Sequence, residues 1–110
     1  SPGMVLDIQF AVFAVCCVLN IPVECVTYDR YNHGLSEIPQ DIPLDVTSIN
    51  LNKNSIRSIG ANAFSKFTDL QQLNLNQNGI IMIHDDAFSG LQRLETLLLD
   101  GNGLQKVPKL

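Results

Sequence analysis

The run His84-Asp85-Asp86 is the one place in this 110-residue chain where an imidazole and two carboxylates fall together, a set that can hold a metal ion or relay a proton. Its context points elsewhere. The run sits just ahead of Ala87-Phe88, and 24 residues earlier the matching positions are Gly60-Ala61-Asn62. That register makes it a solvated turn, with Asp86 capping a short helical segment. Cys16, Cys17 and Cys25 do not supply a zinc site either, because His33 and His84 fall in different parts of the chain and no C-x-x-C is present. No G-x-S-x-G, phosphate-cradling glycine loop or pair of catalytic carboxylates occurs. Enzymatic chemistry has no residues to stand on, and no cofactor or metal is expected.

Binding chemistry does have residues. Ser48, Asn50, Asn52 and Lys53 recur one period on as Gln72, Asn74, Asn76 and Gln77, and again as Thr96, Leu98, Asp100 and Gly101. Most are amides or amines, rich in hydrogen-bonding groups that suit carbohydrate hydroxyls or the polar rim of a protein partner. Leu98 stands out in its column as an exposed leucine that could anchor a partner, with Lys53 and Asp100 as rim charges.

What positions these side chains is a repeat. The stretches INLNKNSI, LNLNQNGI and LLLDGNGL begin at Ile49, Leu73 and Leu97, each 24 residues after the last. The first coil holds Val46, Ile49, Leu51, Asn54, Ile56, Ile59, Ala63, Phe64 and Phe67. The second holds Leu70, Leu73, Leu75, Asn78, Ile80, Ile83, Ala87, Phe88 and Leu91, and the third begins Leu94, Leu97, Leu99, Asn102, Leu104, Val107. A fixed period in the twenties signals a solenoid of stacked coils. Alternation around Ile49 and Leu51 is a strand pattern that turns the leucines inward and Ser48, Asn50 and Asn52 outward. Phe64 and Phe88 should stack on the opposite arc as an aromatic spine. Asn54, Asn78 and Asn102 close each strand, where an amide can pair main-chain groups left over as the coil turns.

The pattern L-x-x-L-x-L-x-x-N-x-L-x-x-I-x-x-x-A-F-x-x-L, carried from Leu35 to Leu110, resembles the extracellular "typical" leucine-rich repeat of Toll-like receptor ectodomains and the variable lymphocyte receptors of jawless fish. The resemblance implies an α/β-type solenoid with a short parallel sheet on its concave face, an irregular or 3-10 convex side and an N-terminal cap. Gly34 to Pro43, reading GLSEIPQDIP, looks like the exit from that cap, although such caps carry four cysteines and this chain has three. It also implies a secreted recognition module, most directly one for innate-immune binding of microbial polysaccharide or protein ligands. The alternative is an adhesion or matrix module that binds a host protein, as small leucine-rich proteoglycans do.

The expected organisation is a cloning remnant at 1–3, a hydrophobic leader at 4–19, the cap at 20–45 and the repeats at 46–110, divided 46–69, 70–93 and a partial 94–110. FAVFAVCCVL, from Phe10 to Leu19, is half the length a membrane-spanning helix requires. It suits a secretory signal, with Ala14 and Cys16 at the −3 and −1 positions of a cut, although Asp7 replaces the usual basic residues. A buried cap strand is the other reading; a retained leader should then pack on the open N-terminal end of the stack. Cys25 is expected to pair with Cys17 or Cys16. At the other end, half a coil leaves an apolar edge, consistent with a fragment of a longer ectodomain or with a short protein that self-associates there. Seven basic against eleven acidic residues, with no basic run, argue against nucleic acid.

Overall fold

The computed structural model describes residues 25–110 together with the backbone of a strand at Asp7–Gln9. Seven strands follow in chain order: β1 (Asp7–Gln9), β2 (Thr27–Asp29), β3 (Ser48–Asn50), β4 (Ser58–Ile59), β5 (Gln72–Asn74), β6 (Met82–Ile83) and β7 (Thr96–Leu98). The leucine-rich stretches supply β3, β5 and β7, which stack in parallel with Ile49, Leu73 and Leu97 in register. The 24-residue period is thus the step from one strand to the next, and the fold is a leucine-rich repeat solenoid.

The sheet is longer than the repeats alone provide. Its order is β1-β7-β5-β3-β2, and β2 comes from the cap, with Tyr28 paired to Ile49. The cap is therefore a coil in its own right, offset by 21 residues instead of 24. At the other edge β1 runs antiparallel to β7, pairing Ile8 with Leu97. Three residues of the segment assigned to the leader, Asp7–Gln9, thus form the edge strand beside β7. A bare strand edge presents unpaired N–H and C=O groups, and β1 covers those of β7. The apolar run at 10–19, with Cys16 and Cys17, lies outside the described residues. Cys25 is disulfide-bonded.

Main-chain bonds extend the stacking beyond the strands. The amides of Lys53 and Gln77 donate to the carbonyls of Asn76 and Asp100 in the next coil, at 3.0 and 2.8 Å. At the strand entrances each carbonyl accepts twice: Thr47 takes the amides of Gln71 and Gln72, and Gln71 those of Glu95 and Thr96. A second sheet, not foreseen from the periodicity, pairs β4 with β6 through Ile59 and Ile83.

The convex arcs contain no helix among the described residues. Single i to i+3 bonds close them, such as Phe67 N to Phe64 O at 3.0 Å and Leu70 N to Phe67 O at 3.1 Å. Left-handed backbone at Asn62 and Gly90 interrupts any longer run. The short helical segment expected at Asp86 is accordingly a turn. Val46, Leu51, Ile56, Phe64, Leu75 and Leu99 are fully buried between the arcs and the sheet. Phe64 stacks on Phe88 with ring centroids 6.2 Å apart and planes 14° from parallel, and Phe67 tilts against Phe64 at 6.4 Å. Together the rings fill the wide side of the first two coils.

Candidate ligand-binding face

The outward positions of the parallel strands form rows that cross the sheet. Ser48, Gln72 and Thr96 are paired in register, as are Asn50, Asn74 and Leu98. Asn52, Asn76 and Asp100 follow one pleat on. Each row gains a fourth member from the cap, because Thr27 pairs with Ser48 and Asp29 with Asn50. The amides of Arg30 and Asn32 donate to Asn50 O and Asn52 O, both at 2.9 Å, which carries the same register to Tyr31 beside Asn52. Thr27, Asp29 and Tyr31 were not anticipated as members of this face, since their 21-residue offset breaks the period. The alternation Val26-x-Tyr28-x-Arg30 was the available signal.

Tyr31 is 43% exposed, and the Lys53 ammonium stands 5.6 Å from its ring centroid, close enough for a cation–π contact. Lys53 shares its column with Gln77 and Gly101, and all three adopt left-handed backbone at φ of 59°, 56° and 74°. That conformation turns the chain off the sheet and is free of strain only for glycine. A Cβ at Gly101 would sit 2.8 Å from Gln77 Cγ, so this column is tight as well as turned. Leu98 is half-buried, and not the freely exposed residue its column suggested.

The outward asparagines are held by one atom. Asn50 Oδ1 accepts the amide N–H of Asn52, and Asn74 Oδ1 that of Asn76, each at 3.0 Å. Asn76 Oδ1 accepts from Asp100 N at 2.6 Å. Because each partner is a main-chain N–H, the oxygen must face it and the amide orientation is fixed. Asn50 Nδ2 then reaches Asp29 Oδ2 at 3.5 Å, whereas the nitrogens of Asn74 and Asn76 meet no partner among the described residues.

The inward asparagines are held by both. Asn78 Nδ2 donates to Leu51 O and Leu75 O at 3.0 and 3.1 Å while Oδ1 accepts from Ile56 N at 3.2 Å. Asn102 Nδ2 donates to Leu75 O and Leu99 O, both at 3.0 Å, and its Oδ1 accepts from Asn78 N and Ile80 N. Asn54 repeats the arrangement toward the cap, accepting from His33 N and Leu35 N and donating to Arg30 O and Leu51 O. Every ladder asparagine thus joins its own coil to the preceding one.

A side-chain cluster locks the cap onto the sheet. The Tyr28 ring is buried, its hydroxyl donates to Asp41 Oδ1, and the Arg30 guanidinium lies 4.3 Å over the ring while reaching Asp41 Oδ2 at 3.5 Å. Burial, and then the hydrogen bond to Asp41, push the phenol up to about 12. The phenol O–H in turn holds the Asp41 carboxyl below the usual carboxylate range. At the start of β7, burial pushes the Glu95 carboxyl up.

His84, Asp85 and Asp86 lie exposed on the convex arc, where His84 Nδ1 accepts the Asp86 amide at 3.0 Å and Asp85 sits 3.8 Å from Lys106 Nζ. Among the described residues no three metal-ligating side chains come together. A shallow groove on the same arc, between Ser36–Gln40 and the turn at Ala61, Ala63 and Lys66, is far from the polar rows and brings no reactive pair together. No helix among the described residues is long and apolar enough to cross a membrane.

A family profile described as leucine rich repeat matches residues 45–104. Asporin of Bos taurus is similar, 36% identical over 65 residues that make up 56% of this chain and 16% of asporin. The match thus spans a small part of that relative's length.

Proposed function

Because the chain belongs to the leucine-rich repeat family, whose domains are protein-binding modules, we propose that it is a non-enzymatic extracellular recognition module that grips a protein partner on its concave face. The observation that carries the reading is the division of labour in the sheet. Inward positions and ladder asparagines are consumed in holding the coils, which leaves the outward rows on a rigid support with little structural work of their own. An exposed aromatic residue with a cation over its ring, Tyr31 with Lys53, is the chemistry of an energetic anchor, and half-buried Leu98 gives apolar contact at the far side. The disulfide at Cys25 supports an oxidising, extracellular setting.

A narrower second reading is innate-immune capture of microbial surface molecules, favoured by the amides of Gln72, Asn74 and Asn76, which suit a hydroxyl-rich ligand. One experiment separates the two. The purified chain is passed over immobilised matrix proteins, cell-surface proteins and bacterial envelope polysaccharides, beside a Tyr31→Ala variant and an Asn50/Gln72/Asn74 triple alanine variant. Binding to a protein that both variants weaken supports the primary reading. Binding confined to polysaccharide and lost in the triple variant moves the function to the second, and binding unaffected by either variant removes the concave face from both. Sedimentation of the same sample tests whether the chain self-associates.

A further inference from the structure

We propose that β5 is a reader of main-chain carbonyls, and that its ligand is an extended segment of the protein partner laid along the strand. The inference rests on the protein-binding reading above and goes further by naming the part of the partner that is read.

Asn74 and Asn76 stand on the sheet's central path, and each spends its oxygen on a backbone amide, from Asn76 and Asp100 respectively. Their nitrogens have no partner among the described residues. Asn52, beside Asn76, also turns its oxygen inward, where it is buried without a donor. What these three amides can offer outward is N–H. The carboxylates of the face, Asp29 and Asp100, lie at its two flanks, and Asp29 is engaged by the amide of Tyr31 at 2.9 Å and by Asn50 Nδ2. The centre is therefore a donor surface and calls for a ligand that brings acceptors.

Spacing selects the kind of acceptor. Asn74 and Asn76 are two residues apart along a strand direction, about 6.6 Å at the usual parallel-strand rise. The carbonyls on one side of an extended polypeptide recur with that same two-residue period. An extended segment lying along β5 can give one carbonyl to each amide without strain in either chain. No cation sits among Asn52, Asn74 and Asn76, so the match favours neutral carbonyl oxygens over phosphate or sulfate. Tyr31 on one flank and Leu98 on the other supply apolar contacts for the segment's side chains.

The test uses a substitution that changes only the outward atom. In Asn74→Asp the carboxylate still accepts the Asn76 amide, while the outward N–H donor becomes an oxygen. A random-sequence peptide library displayed on phage is panned against the full chain, and the enriched peptides are synthesised. Their affinities are measured against the wild type, Asn74→Asp, Asn76→Asp and Tyr31→Ala, with melting temperatures recorded beside them. Roughly tenfold weaker binding is expected for each aspartate variant, the loss of one good hydrogen bond, with the Asn74→Asp melting temperature unchanged. Replacing single peptide carbonyls with thiocarbonyls should weaken binding at two positions two residues apart. Peptides that lose affinity in Tyr31→Ala but ignore Asn74→Asp would overturn carbonyl reading and leave the protein-binding reading in place. No enriched peptide, with a positive protein panel, would overturn the extended-segment ligand; blank results in both would remove both proposals.

Discussion

Asn74 and Asn78 are four residues apart in one coil and have opposite occupations. Asn78 is 1% exposed and uses both ends of its amide on main-chain groups of two coils. Asn74 is half-buried and uses only its oxygen. Residue type does not separate the two; the number of committed atoms does. A repeat that writes asparagine at both places is using it once as a fastener between coils and once as a surface group steadied by its own backbone.

One substitution made at both sites separates the two roles. Asn78→Asp removes the donor from the buried carbonyls of Leu51 and Leu75 and sets an anionic oxygen against them. At roughly 1–3 kcal/mol for each unsatisfied group, the expected cost for the two is about 2–6 kcal/mol, read as a lower denaturation midpoint. Asn74→Asp should cost less than about 0.5 kcal/mol, as surface changes generally do. Equal losses would mean that the outward asparagines are structural too.

Phe64→Ala sharpens the inner side of the contrast. It empties a fully buried ring site between Phe67 and Phe88, and cavity formation should cost about 3–5 kcal/mol by chemical denaturation. A midpoint that barely moved would show that the coils hold without their aromatic filling.

Smaller effects belong to the cap. Tyr28→Phe keeps the buried ring and deletes the hydroxyl bonded to Asp41, so about 1 kcal/mol is expected. Titration gives a separate check. The folded phenol keeps its proton to about 12, against an ordinary value of 10.0. Its contribution is therefore fully present below pH 10 and is lost as pH rises through about 12, because the unfolded chain releases that proton first. Asp41 has the opposite sign: its carboxyl is held low by the Tyr28 hydroxyl, so its contribution is present above the ordinary carboxylate value and fades as pH falls through the folded one. Ultraviolet absorbance should show one tyrosinate forming near pH 12, and Asp41→Asn should bring that step down.

The period, the inward leucines, the aromatic spine and the asparagine ladder were all legible in the sequence, since each depends on residue type held at constant spacing. The contribution of the cap to the sheet was not, because a 21-residue offset hides Tyr28 from a search at 24. The β4–β6 pair was missed for a different reason: Ser58-Ile59 and Met82-Ile83 are two-residue segments, too short to show an alternation. Left-handed backbone at Lys53 and Gln77 is invisible where neither residue prefers it, and only Gly101 in that column hints at the turn. Legibility stops soonest at the outward amides, where the letters name Asn50, Asn74 and Asn76 but the oxygen's partner depends on side-chain rotation.

The backward reach of the ladder also sets an order in time. Asn54 completes the cap, Asn78 completes the first coil and Asn102 the second. A chain made from its N-terminus therefore leaves the ribosome with each coil one asparagine short, and that residue arrives about a period later. Folding during synthesis should trail elongation by one coil, and a stall inside a repeat would leave the previous repeat's amides waiting in water for their partner.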